Sequence, residues 1–439
     1  MKAKLNYFLE MIRTSFWFLP LLVILITIGL AFLFIWLDIA FRFEPNGFFS
    51  YFLSGGAESA RQVLTTIAGA MLGVAGTVFS ITLVALTLAS NQFGARLLRN
   101  FMYDRLNQVV LGTYVATFLY CLLVLKTVKT DMDTEFVPNL SVMVAMILAI
   151  ANIFLLIIYI HHISISIQAD QVISDVNSNL EKNLKKIFPE DLGEETTDDS
   201  KSEQLFRRLM ASHGFSEKVI SSRSGYLQAI DNDGLMSLAK DHSLIISLGH
   251  RPGDFLVENE PIAEVFSKET CPGRVKERIR DTFVFGRVRT PVQDAEFAIH
   301  QLVEIASRAL SPGVNDPFTA ITCIDKLKAS ICYLSRAKFS SAWRYDEDGN
   351  LRMKVYPVTF AGVMDAAFNQ IRQYGKGSPS VMIRLMEALV TIDSFAGGPL
   401  KKESVRRHAG MVLQAAEDAQ YNPNDLKDVK ERFMKIKQD

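Results

Sequence analysis

The longest uncharged run of the chain, QVLTTIAGAMLGVAGTVFSITLVALTLASNQFGA, occupies residues 62–95 between Arg61 and Arg96. As one helix it reaches roughly 50 Å, against about 30 Å for the apolar slab of a bilayer. It therefore spans a membrane and continues past one face. Three further windows carry no charge, at 14–37, 106–125 and 136–160, and each is long enough to cross. The pattern predicts four transmembrane helices, about 14–37, 64–90, 106–125 and 136–160, in a domain covering 1–160. No acidic residue interrupts these windows, which argues against proton coupling through an intramembrane carboxylate.

After the fourth span, Ile163, Ile167, Ile173, Val176, Leu180, Leu184 and Ile187 form an apolar stripe, predicting that the helix continues unbroken as far as Pro189. The acidic stretch PEDLGEETTDDSKSEQ then reads as a linker, so 161–204 forms an amphipathic helix with a loop. Short strand-like runs separated by Gly, Pro, Asn and Asp follow, predicting a small β-rich module over 205–270. From 271 to 439 the pattern is mainly helical, with helices at 274–285, 291–310, 317–336, 360–374, 379–395, 400–420 and 425–437, and a hairpin within 343–356. The fold class is an α-helical multi-pass membrane protein with four transmembrane helices and a cytosolic α+β region: a small β-module followed by a mainly helical domain.

Composition removes several function classes. Across 439 residues, 47 Lys and Arg balance 47 Asp and Glu, so no basic field invites nucleic acid. The four cysteines have no metal-ligand spacing, and His161 beside His162 is a poor pair for joint ligation, so neither metal nor cofactor is expected. The 14–37 window resembles a signal peptide, but its apolar core is too long and no small-residue cleavage site follows, so a retained helix is expected. No Walker, GxSxG or HExxH pattern is present, and no enzymatic activity is expected.

Two groups of residues carry candidate chemistry. In the second span, Gly69, Gly73, Gly76, Thr77 and Ser80, with Asn91 and Gln92 at its end, suit either close helix packing or the wall of a wet path. Four helices seldom enclose a conduit alone, so the second use implies a homo-oligomer. In the soluble part, Arg287 and Arg289 precede a helix expected from Pro291, on whose polar face Asp294, Gln301, Glu304 and Arg308 fall, and SPGVNDP leads into another from Pro317. Arg287, Arg289, Asp294, Asn315 and Asp316 are candidates for a small anionic effector at paired helix N-termini. A stop, turn and start with Asp316 as the cap explains SPGVNDP completely and is the favoured reading. The connection over 91–108, with Phe93, Leu97, Leu98, Phe101 and Leu106 among arginines, reads either as an interfacial helix or as one packed on the cytosolic part.

The segments QFGARLLRNFMYDRLNQVVLGTYVATFLYCLLVL, GRVRTPVQD and RALSPGVNDPFTA resemble a bacterial family of predicted inner-membrane proteins, domain of unknown function 2254, along essentially the whole chain. That resemblance implies a multi-pass bacterial plasma-membrane protein with a cytosolic C-terminal region and supplies no activity. Residues 251–266 also resemble the hairpin of barrel-sandwich carriers over a few positions, without the lysine that those carriers modify. The function expected is a homo-oligomeric channel or passive transporter lined by the second span and gated by the cytosolic part. The alternative is a membrane-anchored sensor or scaffold. Expected partners are the lipid bilayer, further copies of the chain and a small anionic effector or ion. The loop charges favour both termini in the cytoplasm.

Overall fold

The computed structural model describes residues 17–41, 56–94, 104–129, 136–188 and 199–437. It comprises two compact units, Met1–Gln171 and Val172–Asp439.

The first unit is a bundle of α1 (Phe18–Phe41), α2 (Gly56–Phe93), α3 (Arg105–Leu125) and α4 (Asn139–Ser166). All four are long and apolar enough to cross a bilayer. The central helix is α3, which touches each of the others. Half of its apolar window is buried, against 17 to 22% for the other three. Where α1 crosses it, a Cβ on Gly112 would lie 2.8 Å from the Cα of Pro20, so only a hydrogen fits.

Polar side chains inside this bundle are bonded to neighbouring helices. The first span runs past its expected end and takes in Asp38, so an acidic residue does lie within a spanning helix. Its carboxylate is buried, accepting from the backbone N–H groups of Leu140 and Ser141 at 2.9 Å and from the Ser141 hydroxyl at 2.6 Å. It thus caps the first turn of α4, where N–H groups lack helical partners and the helix dipole favours an anion. Deeper in, the Asn152 side-chain amide donates to Thr117 at 2.8 Å, and the Asn152 backbone carbonyl accepts from the Tyr114 hydroxyl at 2.6 Å. The Thr82 and Tyr159 hydroxyls lie 2.7 Å apart. The middle of the interfacial helix expected over 91–108, residues 95–103, lies outside the described residues, while 91–93 close α2 and 105–108 open α3.

The continuous helix expected after the fourth span is broken at Ile167 and Gln168, between α4 and α5 (Ala169–Ile187). The Ser164 and Ser166 hydroxyls each donate at 2.8 Å to the carbonyl four residues back, a bond that weakens a helix where it ends. The expected linker is also partly helical. α6 (Asp199–Ser212) starts within it and buries Phe206, because Leu205, Phe206, Leu209 and Met210 recur at helical spacing behind the acidic residues.

The second unit holds two sheets. β1 (Phe215–Ile220), β3 (Ile245–Leu248), β5 (Pro261–Ser267), β7 (Trp343–Tyr345) and β8 (Leu351–Lys354) form one in the order β1-β5-β3-β8-β7. β2 (Gly225–Ile230), β4 (Phe255–Leu256) and β6 (Phe283–Gly286) form the other, ordered β4-β2-β6. Residues 251–266 are therefore no hairpin: β4 pairs with β2, while β5 pairs with β1 and β3. Along β3 the pleat sends Ile246 into a core with Leu227, Val265 and Met353, and Ile245 to the opposite face with Phe206, Phe266 and Trp343. Two helices, α7 (Asn232–Asp241) and α8 (Gly273–Arg280), interrupt the strands. The helix expected over 274–285 stops at Arg280, and the alternating sequence FVFG becomes β6 against β2. Strands β6 to β8 lie beyond residue 270, so that boundary does not separate a β-module from a helical one.

Helices α9 (Phe297–Ala309), α10 (Pro317–Arg336), α11 (Phe360–Gly375), α12 (Pro379–Phe395), α13 (Pro399–Asp418) and α14 (Pro423–Lys437) pack on one another. Asp316 and Thr359 cap α10 and α11, and proline opens α10, α12 and α13. Among these helices His408 is buried with its ring 3.2 Å from Asp365, and burial pushes it down to about 4 despite that carboxylate.

Two outcomes follow. Gly112→Ala must force α1 away from α3 and should destabilise the bundle by about 1–3 kcal/mol, read as an earlier melt of the detergent-solubilised chain. Between its ordinary value of 6.5 and about 4, His408 takes up a proton in the unfolded chain before it does in the folded one. Its contribution to stability is therefore present above 6.5 and lost as the pH falls through that window, by about 3 kcal/mol in full. The melting temperature of His408→Gln should consequently fall less than the parent's between about pH 7 and pH 4.

Candidate functional site

Residues of a helix advance by about 100° each, so positions three or four apart share a face. On α2, Leu64, Ala68, Met71, Ala75, Val78, Ala85, Ala89 and Phe93 are buried within the bundle. The opposite face carries Gln62, Thr66, Gly69, Gly73, Gly76, Thr77, Ser80, Thr87 and Asn91, all exposed. Gln92 is also exposed, on the flank of that stripe. A Cβ added at Gly69, Gly73 or Gly76 would meet nothing within 4 Å. These glycines are therefore not packing notches within their own chain; Gly112 is.

The other outer helices differ in character. α1 exposes Leu25, Ile26, Phe32 and Leu33, and α4 exposes Ile150, Ile153, Phe154 and Ile157, the bulky surface that lipid tails solvate. On α2 large apolar side chains such as Leu72 and Phe79 flank the stripe, and only Val84 interrupts its middle. The stripe also outruns any bilayer, since 38 residues give a helix of about 57 Å. Its hydroxyls are partly satisfied by their own backbone: Thr66, Thr77 and Thr87 donate to the carbonyls of Gln62, Gly73 and Leu83 at 2.7, 3.2 and 2.9 Å. The surface is thus weakly polar and permits close approach.

The candidates of the second unit do not form one pocket. Helix α9 begins at Phe297 rather than Pro291, because the Asp294 carboxylate accepts from the backbone N–H of Glu296 and holds 290–296 as turns. Asp294 is buried instead of lying on a polar helix face, and so is Gln301. Arg289 pairs with Asp294 at 2.7 Å and Arg251 with Glu296 at 2.8 Å. Burial pushes both carboxyl groups above their ordinary range, with the arginines opposing it. Gly253, in the left-handed region at φ +106°, lets the backbone pass against this cluster, where a Cβ would lie 2.7 Å from Asp294. Arg287 is exposed. Asn315, at φ +49°, and Asp316 lie at the other end of α9, where the Asp316 N–H donates to Ala309. Along that helix the two groups stand about 18 Å apart. Asp316 itself caps α10, accepting from Thr319 at 3.2 Å.

A family model for predicted membrane proteins, DUF2254, matches residues 13–391. The chain belongs to this family. Its relatives include uncharacterized protein Mb1321c of Mycobacterium bovis and uncharacterized protein Rv1290c of Mycobacterium tuberculosis, each 32% identical over 367 residues, covering 82% of this chain and 68% of the relative. No solved structure matches it.

Several residues of this DUF2254 protein escape a reading of the sequence. Arg251 and Glu296 pair across 45 residues with no local signal. Glu58 falls outside the uncharged window 62–95 yet lies on the α2 stripe, as its spacing of four from Gln62 could have shown. The contrast between the two arginines is testable. Arg289→Ala strands a buried carboxylate and should cost about 3–5 kcal/mol, whereas Arg287→Ala should stay within about 0.5 kcal/mol of the parent. Chemical unfolding of the detergent-solubilised chain checks both.

Proposed function

We propose that this membrane protein is a homo-oligomeric passive conduit, a channel or uncoupled transporter, in which the outward face of α2 from each copy lines the path. The observation that carries the reading is the contrast between the outer faces. α1 and α4 present Leu, Ile and Phe to their surroundings, while one face of α2 presents glycine, hydroxyl and amide side chains from Gln62 to Asn91, interrupted by Val84 and flanked by exposed Leu72, Phe79, Leu83 and Leu88. Such a face gains little from lipid and much from a neighbouring copy or from water. The uncharged core of the second helix, 62–93, and the capping of the buried Asp38 carboxylate by three donors suit passive conduction better than proton-driven transport.

In this reading the chain lies in a bacterial plasma membrane with both termini in the cytoplasm, and Val172–Asp439 regulates the path. The competing role, a sensor or scaffold whose soluble part binds a small anion, is weakened because Arg289 is already engaged by Asp294 at 2.7 Å.

Ion flux through the purified protein in liposomes tests the proposal. Gly73→Leu adds four carbons to the open face without touching the chain's own packing, so its folding should match the parent's while flux falls by about tenfold or more. Equal flux through parent and variant would remove α2 from the wall.

A further inference from the structure

We propose that Glu58 makes the conduit select cations over anions, an inference that rests on the α2 reading above. The face that would line the path runs from Glu58 through Gln62, Thr66, Gly73 and Ser80 to Asn91, each exposed. Glu58 is the acidic residue of this face among the described residues of α2, about 60° from Gly73; Arg61, three residues on and about 60° further round, is also exposed but lies on the flank, about 120° from Gly73. The Gln62 amide donates to the Glu58 carboxylate at 3.4 Å, one turn further along, which keeps the charge on the stripe.

In a symmetric oligomer one exposed carboxylate per copy becomes a ring at the mouth beside the α1–α2 connection. Rings of this kind raise the local concentration of cations and repel anions, while uncharged hydroxyl and amide side chains beyond it add no opposing field. The far mouth, at Asn91 and Gln92, is neutral on this helix. Glu58 is thus a specificity-determining residue rather than a binding site. Its position in the first helical turn is compatible with both that role and favourable interaction with the helix dipole.

The test is the cation-to-anion permeability ratio of the full-length protein in planar bilayers, measured from reversal potentials in a potassium chloride gradient. The parent should prefer potassium. Glu58→Gln should lower the ratio by about threefold or more, since about half a kT of surface potential, acting in opposite senses on cation and anion, is worth that factor, and Glu58→Lys should invert the preference. Glu58→Asp should retain it. Native mass spectrometry of each variant verifies unchanged assembly. An unaltered ratio in both Glu58→Gln and Glu58→Lys, with conduction intact, overturns the role of Glu58 and leaves the conduit standing. A parent that conducts no ion under any gradient or applied voltage overturns the conduit and this inference together.

Discussion

Lipid tails can solvate bulky apolar side chains but offer nothing to a strip of glycine and hydroxyl groups, and this constraint governs the membrane half of the protein. Helices α1 and α4 satisfy it with leucine, isoleucine and phenylalanine. Helix α2 satisfies it only on its flanks. Its inner face fits the bundle through Leu64, Met71, Ala75 and Val78, and its outer face is left with small and polar residues. Under the reading proposed above, that surface meets another copy of the chain, or water enclosed by several copies.

The interior of the same bundle obeys the complementary rule that a polar group in hydrocarbon needs a partner. Asp38 gains three donors at the start of α4, Asn152 reaches Thr117, and Tyr159 reaches Thr82. These bonds tie α4 to α1, α3 and α2. The close contact of Gly112 with Pro20 draws α1 onto α3. Among the described residues, none of these interhelical bonds uses the α2 stripe. In the second unit the partly buried pairs Arg289 with Asp294 and Arg251 with Glu296 join a strand-connecting loop to the turns before α9. Removing one partner of such a pair leaves a desolvated charge behind.

Long-range composition was legible in the sequence, and long-range pairing was not. Four uncharged windows sufficed for the four apolar helices, and the Asp316 cap with Pro317 marked the start of α10. The ends of α12 and α14 followed from the same helical signals. Where the reading failed, a contact from elsewhere in the chain decided the outcome. FVFG became a strand because β2 supplies its partner, and Pro291 does not start a helix because Asp294 turns back to Arg289. Asp38 falls just past the uncharged window 14–37, and its place inside α1 was not legible because only the fold brings the first turn of α4 beside it. The seven α2 candidates were visible as residues, yet which face they occupy relative to the bundle depends on packing that no local pattern specifies.

The central claim is that the outward face of α2 meets water or protein rather than lipid. Single cysteines placed at Gly73, Ser80 and Thr87, and at Ile150, Phe154 and Ile157 of α4, in a chain freed of its own four cysteines, can be challenged in the membrane with a charged, water-soluble thiol reagent and with a lipid-soluble one. The account predicts that the α2 positions react with the charged reagent, or are shielded from both by a second copy, while the α4 positions react only with the lipid-soluble one. Labelling of both helices alike by the lipid-soluble reagent would place the α2 stripe in the bilayer and contradict the account.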